Sequence, residues 1–509
     1  MASSSGILKI VNTAFFLKRQ ASTRGQKPAL IFRNTAISFR DLHRRSCHIR
    51  GHLMRMGIGK GDKVALIFAN GLEFAYLYYA LEGLGAVIVP VDHRLGGPEL
   101  RALCDLCEIK MAWVAPDYGH VRQLQEWTQV QPWEDRFLQS SSVSFDACQP
   151  KVGSRSESIL MLHTSGTTGM PKVVELTRAH MNCAPESMHT LLATSGEEVI
   201  AMILPMSHIS GPIMLNEIVD KGSTLVIFDQ IHPKALFQAI ERYKISLFHG
   251  VPPLFQMILN SPERTLYDLG SLRVLAMMGT AVPESLMKKV QEALPHVALL
   301  QGYGLTETSP FITMTPIEEA GEHLSSIGKP VSGAEVLLID DHGHAVPCGE
   351  VGELTVKGSM VMKGYYKNPE ATAQRIRNDF LYTGDMARCD TDGFYYHLGR
   401  KDDMIVTGGG LNVYPSEVEN LLLIHPDVAE AAVVGIDAGD HKGAVLHAFI
   451  VAKNSSNVEA ESLRDHLRER LATFKIPRHY HMLAEMPKNS TGKIVKAKLA
   501  GPFLKNQST

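Results

Sequence analysis

The feature that most narrows what this chain can fold into is an alternation of short apolar runs with helix-length segments. Lys63-Val64-Ala65-Leu66-Ile67-Phe68-Ala69 is one such run, Gly71 to Glu82 has helical length and spacing, and Gly85 to Val91 is a second run. Runs apolar on both faces belong inside a covered sheet, and the strand–helix–strand order predicts parallel pairing with a right-handed crossover. The pattern recurs, with strands predicted at Ile159–His163, Val199–Leu204, Ser223–Phe228, Ile245–His249, Leu272–Met277 and Val297–Leu300, and a helix from Pro283 to Leu294. From about Ile327 the texture changes. Ala334–Ile339 and Val351–Lys357 mix apolar and polar residues, as half-exposed antiparallel strands do. A last unit carries a helix from Pro415 to about Ile424, strands at Ala431–Ile436 and Val445–Val451, and a charged helix at Ala460–Leu471. The expected fold is α/β: a large N-terminal domain of parallel-rich sheets and helices with a smaller β-rich subdomain over residues 1–400, and a small α+β domain over 401–509.

Composition removes several function classes. The 509 residues are 45% hydrophobic and 20% charged, which is globular and too long for one core. A net charge of -2 argues against nucleic acid or an anionic membrane as the main partner. Val199–Asn216 and Ile245–Pro262 lack Asp, Glu, Lys and Arg, but their prolines and histidines predict buried strand-plus-turn segments, not membrane spans. Seven cysteines, an odd number, fit a reducing compartment, and a cytoplasmic protein is expected. Cys104 and Cys107 share a helix face with no second pair for a metal. The stretch before Asp41 has no acidic residue, a transit-peptide-like bias, but it also reads as a surface helix over Ile7–Arg19 followed by a strand at Ala29–Phe32, and that reading is preferred. Gln507-Ser508-Thr509 is not a peroxisomal signal.

The most informative segment is Thr164-Ser165-Gly166-Thr167-Thr168-Gly169-Met170-Pro171-Lys172, directly after a predicted strand. Its glycines let backbone N–H groups approach an anion, its hydroxyls add donors, and Lys172 adds charge. It does not match the G-x-x-x-x-G-K-[ST] P-loop, so residue chemistry alone leaves a phosphate loop or a flexible surface loop. Four further motifs follow in order: Gln301-Gly302-Tyr303-Gly304-Leu305-Thr306-Glu307-Thr308, Tyr382-Thr383-Gly384-Asp385, Leu398-Gly399-Arg400-Lys401-Asp402-Asp403 and Pro487-Lys488-Asn489-Ser490-Thr491-Gly492-Lys493. Together the five resemble the signature of the adenylate-forming superfamily: acyl-CoA synthetases, peptide-synthetase adenylation domains and luciferases. The resemblance covers nearly the whole chain. One departure is Val173, where that family usually has glycine.

The resemblance implies two half-reactions: a carboxylate and ATP give acyl-AMP and pyrophosphate, then a thiol displaces AMP. It implies that Thr164, Ser165, Gly166, Thr167, Thr168, Gly169 and Lys172 hold the β- and γ-phosphates, that Thr306 contacts the α-phosphate, and that Glu307 is the Mg²⁺ ligand. Gly279, Thr280 and Ala281 would line the adenine, with Gln301, Gly302 and Gly304 around it and Tyr303 stacked on its ring. Asp385 would accept the ribose hydroxyls beside Arg400. Lys493 would bridge carboxylate and α-phosphate as charge develops. Asp402 matches the hinge of a mobile C-terminal domain, whose other face, with Gly409, would pass a pantetheine arm. Phe474, Lys475 and Arg478 are equally readable as a coenzyme A contact or a solvated loop.

By family position the acyl pocket is His208, Gly211, His249, Gly250, Val251, Met278 and Gly302, with His208 as an aromatic gate among the catalytic residues. The set contains no Asp, Glu, Lys or Arg, so an ammonium-bearing acid would lack a partner. The expected function is an acyl-CoA synthetase acting on an apolar carboxylic acid, fatty or aryl, with ATP, Mg²⁺ and coenzyme A, and a homodimer is left open. The alternatives are a ligase loading a carrier protein in trans (only 16 residues follow Lys493), a non-catalytic nucleotide-binding relative, and a luciferase-type oxygenase.

Overall fold

In the computed structural model, residues 13–139, 149–151, 153–164, 172–183, 192–279, 282–407, 411–437, 444–453, 458–488 and 494–504 are described. The apolar runs form the centres of two sheets. The first contains β3 (Lys63–Ile67), β4 (Val87–Val91), β5 (Met111–Val114), β6 (Gln129–Pro132), β7 (Ser158–Thr164) and β8 (Lys172–Thr177). The second contains the hairpin β1 (Pro28–Phe32) and β2 (Thr35–Ser38), then β9 (Val199–Met202), β10 (Thr224–Ile227), β11 (Leu247–Gly250), β12 (Val274–Met277), β13 (Ala298–Gly304), β14 (Phe311–Met314) and β15 (Lys329–Pro330). Its order is β15-β14-β13-β12-β11-β9-β10-β1-β2, and β1, β10, β9, β11, β12 and β13 run parallel. The predicted βαβ unit is present, with β3 and β4 parallel around the helix Leu72–Leu84.

The largest core cluster draws side chains from both sheets, and the helix Leu72–Leu84 contributes Phe74, Tyr76, Tyr78 and Tyr79 to it. A buried ion pair, Arg178 to Glu82 at 2.9 Å, ties the end of β8 to that helix; both side chains are 1% exposed. Such a pair costs desolvation, and removing one partner would leave an uncompensated charge.

The two uncharged stretches are strand-plus-helix, not strand-plus-turn. Helices run at Ser210–Lys221 and Pro252–Asn260, the second opened by prolines in its first turn. The N-terminal helix covers Thr13–Thr23, past the expected end at Arg19, because the buried Gln20 donates to the carbonyls of Val219 and Asp220. No helix of the described residues is long and apolar enough to cross a membrane.

The β-rich part carries β16 (Glu335–Ile339), β17 (Val351–Lys357), β18 (Gly364–Tyr365), β19 (Ile376–Arg377), β20 (Phe380–Cys389) and β21 (Tyr395–Arg400). All are antiparallel to their partners; β18 joins β8 of the first sheet. The C-terminal part has a two-stranded ribbon, β22 (Ile405–Val406) and β23 (Asn412–Val413), and a three-stranded sheet, β24 (Val428–Asp437), β25 (Ala444–Ala452) and β26 (His479–Met482). Separate apolar clusters serve it.

Candidate active site

Phosphate-loop residues Ser165, Gly166, Thr167, Thr168 and Gly169 lie outside the described residues, as do Thr280, Ala281, Gly409 and Lys493. What flanks the phosphate loop is defined. Thr164 and Lys172 are cross-strand partners, and the Thr164 hydroxyl donates to the Lys172 carbonyl at 3.4 Å. The loop therefore joins two antiparallel strands rather than leading into a helix. Val173 is a buried strand residue paired with His163, so the departure from glycine serves the sheet. The Lys172 ammonium lies 5.4 Å from the centre of the Tyr365 ring. Tyr365 in turn donates its hydroxyl to Oε1 of Glu307 at 2.9 Å. Burial and the Glu307 carboxylate raise the Tyr365 pKa, so the phenol keeps its proton and remains a donor.

Glu307 follows β13 in a short 3-10 turn, Thr306–Thr308, with its own carbonyl accepting from Met362 N–H. Oε2 has no hydrogen-bond partner among the described residues, and those residues contain no group of three or more clustered metal-binding side chains. One anchored carboxylate with a spare oxygen fits Mg²⁺, which takes one or two protein carboxylates and completes its shell with phosphate and water. The turn depends on Gly304, because a Cβ there would lie 1.5 Å from the Pro310 carbonyl oxygen.

Asp385, on β20, is 4% exposed and is the most heavily partnered group of the site. It accepts from the Tyr303 hydroxyl at 2.5 Å and from His397 Nε2 at 3.2 Å, and lies 3.4 Å from Arg400 Nε. Strand register brings this together: Asp385 is opposite Arg400 on β21, and Tyr303 is near the end of β13. Arg400 also donates to the Thr383 carbonyl at 2.8 Å. Burial pushes the Asp385 pKa up, but the His397 hydrogen bond, the charges of His397 and Arg400 and the Tyr303 hydrogen bond outweigh it and hold the carboxyl below its ordinary range. Tyr303 is driven well up by burial and by Asp385. Its ring stacks on His397, with centroids 5.8 Å apart and planes at 30°.

Five of the residues expected in the acyl pocket gather at the C-terminal ends of three neighbouring parallel strands, where open α/β sheets bind ligands. They are His249 and Gly250 on β11 with Val251 after it, Met278 after β12, and Gly302 on β13; Gly279 and Gln301, expected near the adenine, lie beside them. Met278 N–H bonds the Gly250 carbonyl at 3.0 Å. Gly279 has φ +88°, and a Cβ at Gly302 would meet the methyl carbons of Met314 and Met278 at 3.2 and 3.6 Å. His208 is exposed, while the Gly211 backbone packs onto Met206. Asn70 fixes the His208 turn, donating to the Leu204 and Phe228 carbonyls and accepting from Met206 N–H. Asp402 is exposed next to Lys401, whose ammonium binds Asp341 at 2.7 Å and Glu353 at 3.3 Å. Lys475 pairs with Glu417.

Sequence reasoning missed Tyr365, His397 and Asn70. His397 lies three residues before the Arg400 motif residue, which was the available signal; Tyr365 and Asn70 lie in no motif.

Comparison with known proteins bears on the family and the fold. The AMP-binding enzyme model matches residues 17–366, and the AMP-binding enzyme C-terminal domain model matches 417–493. A feruloyl-CoA synthase of Amycolatopsis sp is 32% identical over 493 residues, covering 95% of this chain and 98% of that protein. The fold matches o-succinylbenzoate CoA synthetase from Bacillus subtilis in complex with the acyl-adenylate intermediate OSB-AMP, with TM-score 0.87, 29% identity, and 95% and 97% of the two chains covered. The complex of that Bacillus subtilis enzyme with ATP and magnesium ion gives TM-score 0.86 at 28% identity, covering 95% and 98%.

Proposed function

The chain belongs to the AMP-binding enzyme family, and from that premise we propose how its residues divide the work of the reaction. It is an AMP-forming acid–thiol ligase, an acyl-CoA synthetase that turns a carboxylic acid, ATP and CoA into acyl-CoA, AMP and pyrophosphate through an acyl-adenylate. The carrier-loading alternative is set aside, because the relatives are CoA ligases.

The observation that carries the residue assignment is the convergence of Tyr303, Asp385 and Arg400, with Glu307 in the 3-10 turn that follows the Tyr303 strand. Asp385, kept ionised, accepts the ribose hydroxyls. A carboxylate offers about four lone-pair positions, and three contacts already use it, so two new O–H donors require one to yield. The Arg400 contact is the longest, and that guanidinium keeps its bond to Thr383. Glu307, oriented by Tyr365, holds Mg²⁺, which when bound neutralises phosphate charge. Lys172 and the hydroxyls from Thr164 to Thr168 hold the terminal phosphates. Thr306 takes the α-phosphate, and Lys493 supplies a cation where carboxylate and α-phosphate meet. His208 guards the acyl entrance.

The proposal divides the chain at 400/401. Asp402 is the pivot, and Lys401 is anchored to the large domain through Asp341 and Glu353. An aromatic acid is assigned ahead of a fatty one, because the relatives named above are a feruloyl-CoA synthase and an o-succinylbenzoate CoA synthetase. The protein is further proposed to be cytoplasmic and a homodimer. The six described cysteines are free thiols, in keeping with a reducing compartment, and sedimentation would check the dimer.

The test is pyrophosphate and AMP release across aliphatic and aryl acids, with and without CoA. CoA-dependent AMP release with aryl acids is expected, and its absence with every acid would overturn the proposal.

A further inference from the structure

His249 is the one residue of the acyl pocket whose chemistry the mechanism leaves unused. It is 6% exposed, near the end of β11, and it is directly opposite Ala276 on β12, which is itself opposite Leu300 on β13. Alternation along β11 puts His249 on the same face as Leu247, in the core cluster shared by the two sheets, and Phe248 on the other. Its neighbours across the sheet are therefore apolar.

No described residue hydrogen-bonds to either ring nitrogen. A buried imidazole with unsatisfied polar atoms is costly unless something bonds to it. The imidazole stands near the C-terminal end of β11, at the sheet edge proposed to take the acid. Burial alone lowers the pKa of this imidazole, to about 4, with no neighbouring charge contributing, so near pH 7 it is neutral, one nitrogen a donor and the other an acceptor.

We infer that His249 reads an uncharged polar substituent on the acid, such as a phenolic hydroxyl, and so makes the enzyme a ligase of hydroxylated aromatic acids. This rests on the acyl-CoA synthetase reading of the same site. A hydroxyl is both donor and acceptor and matches a neutral imidazole. A charged substituent would meet no counter-ion there. An acid lacking the substituent leaves the imidazole desolvated and unpaired in the complex, and that penalty is the source of discrimination.

The experiment compares cinnamic acid with its 2-, 3- and 4-hydroxy isomers, and benzoic acid with its hydroxy isomers, by kcat/KM for CoA-dependent AMP release. At least one hydroxylated isomer should be favoured over its parent by about 10- to 100-fold. His249→Leu should erase that preference with the KM for ATP unchanged. His249→Asn, which keeps a donor and an acceptor, should retain part of it, and thermal melting would establish that both variants are folded. Wild-type indifference to every hydroxyl, or a preference that survives in folded His249→Leu, overturns the inference while leaving the ligase reading intact. Absence of CoA-dependent AMP release with any acid overturns both.

Discussion

The two ends of the active site are built on opposite plans. At the nucleotide end, Asp385 is gripped by Tyr303, His397 and Arg400 and held ionised by them. At the acyl end, His249 is equally buried but has no partner among the described residues and is held neutral. One end carries its full set of contacts before ligand arrives; the other leaves a polar group for the ligand to satisfy. A pre-satisfied end suits a ligand that never changes, and an unsatisfied end suits discrimination among acids.

The largest effect expected lies between the two ends. Lys493→Ala should slow adenylation by about 10²- to 10³-fold for every acid alike, while thioester formation from supplied acyl-AMP is largely kept. Single-turnover rates of each half-reaction would measure this, and equal loss of both would remove Lys493 from its role. Next, Asp385→Ala should lower kcat/KM for ATP by about 10²-fold without reordering the acids. A changed order would break the contrast between the ends. Gly302→Val should do the reverse. With the new side chain pressed toward Met314 and Met278, kcat/KM should fall about 10-fold for bulky aryl acids, less for small ones, with the KM for ATP unchanged.

Acid stability separates the ends on another axis. The folded state resists protonating His249 until about pH 4, whereas the unfolded chain takes that proton near pH 6.5. The stability this gives is complete above about pH 6.5 and is lost as pH falls toward 4, by up to about 3 kcal/mol. Asp385, lowered below the ordinary carboxylate value, keeps its contribution above about pH 4 and loses it only below. Urea midpoints should therefore decline less from pH 7 to 4.5 in His249→Phe than in the wild type. Asp385→Asn should leave the slope over that interval unchanged. The smallest effect expected is His397→Phe, which keeps a ring against Tyr303 but drops the bond to Asp385; the KM for ATP should rise about three-fold.

The contrast also bears on how much of the molecule is legible in its sequence. The parallel strands were legible because β4 and β12 are apolar on both faces, and the Gly304, Asp385 and Arg400 motifs lie in contiguous stretches. The antiparallel return of β8 was not, since Val173 appears in sequence only as a missing glycine and its reason is the pairing with His163. Tyr365 and His397 act on groups 58 and 12 residues away through strand pairing and turn geometry that no local pattern encodes. The helices at Ser210 and Pro252 were hidden because a short, mostly apolar run does not distinguish strand from helix.

The position of β1 sets a schedule for the chain's birth. Leu30, Ile31 and Phe32 leave the ribosome well ahead of their parallel partner β10, Leu225 to Ile227. At about 5–20 residues per second, roughly 10–40 s of synthesis separates the two. Throughout that interval the apolar strand has no native strand neighbour except its own hairpin mate, β2. Slow translation between β1 and β10 should therefore tax the yield of this enzyme more than slow translation anywhere later, and a chaperone that shields the nascent hairpin should relieve it.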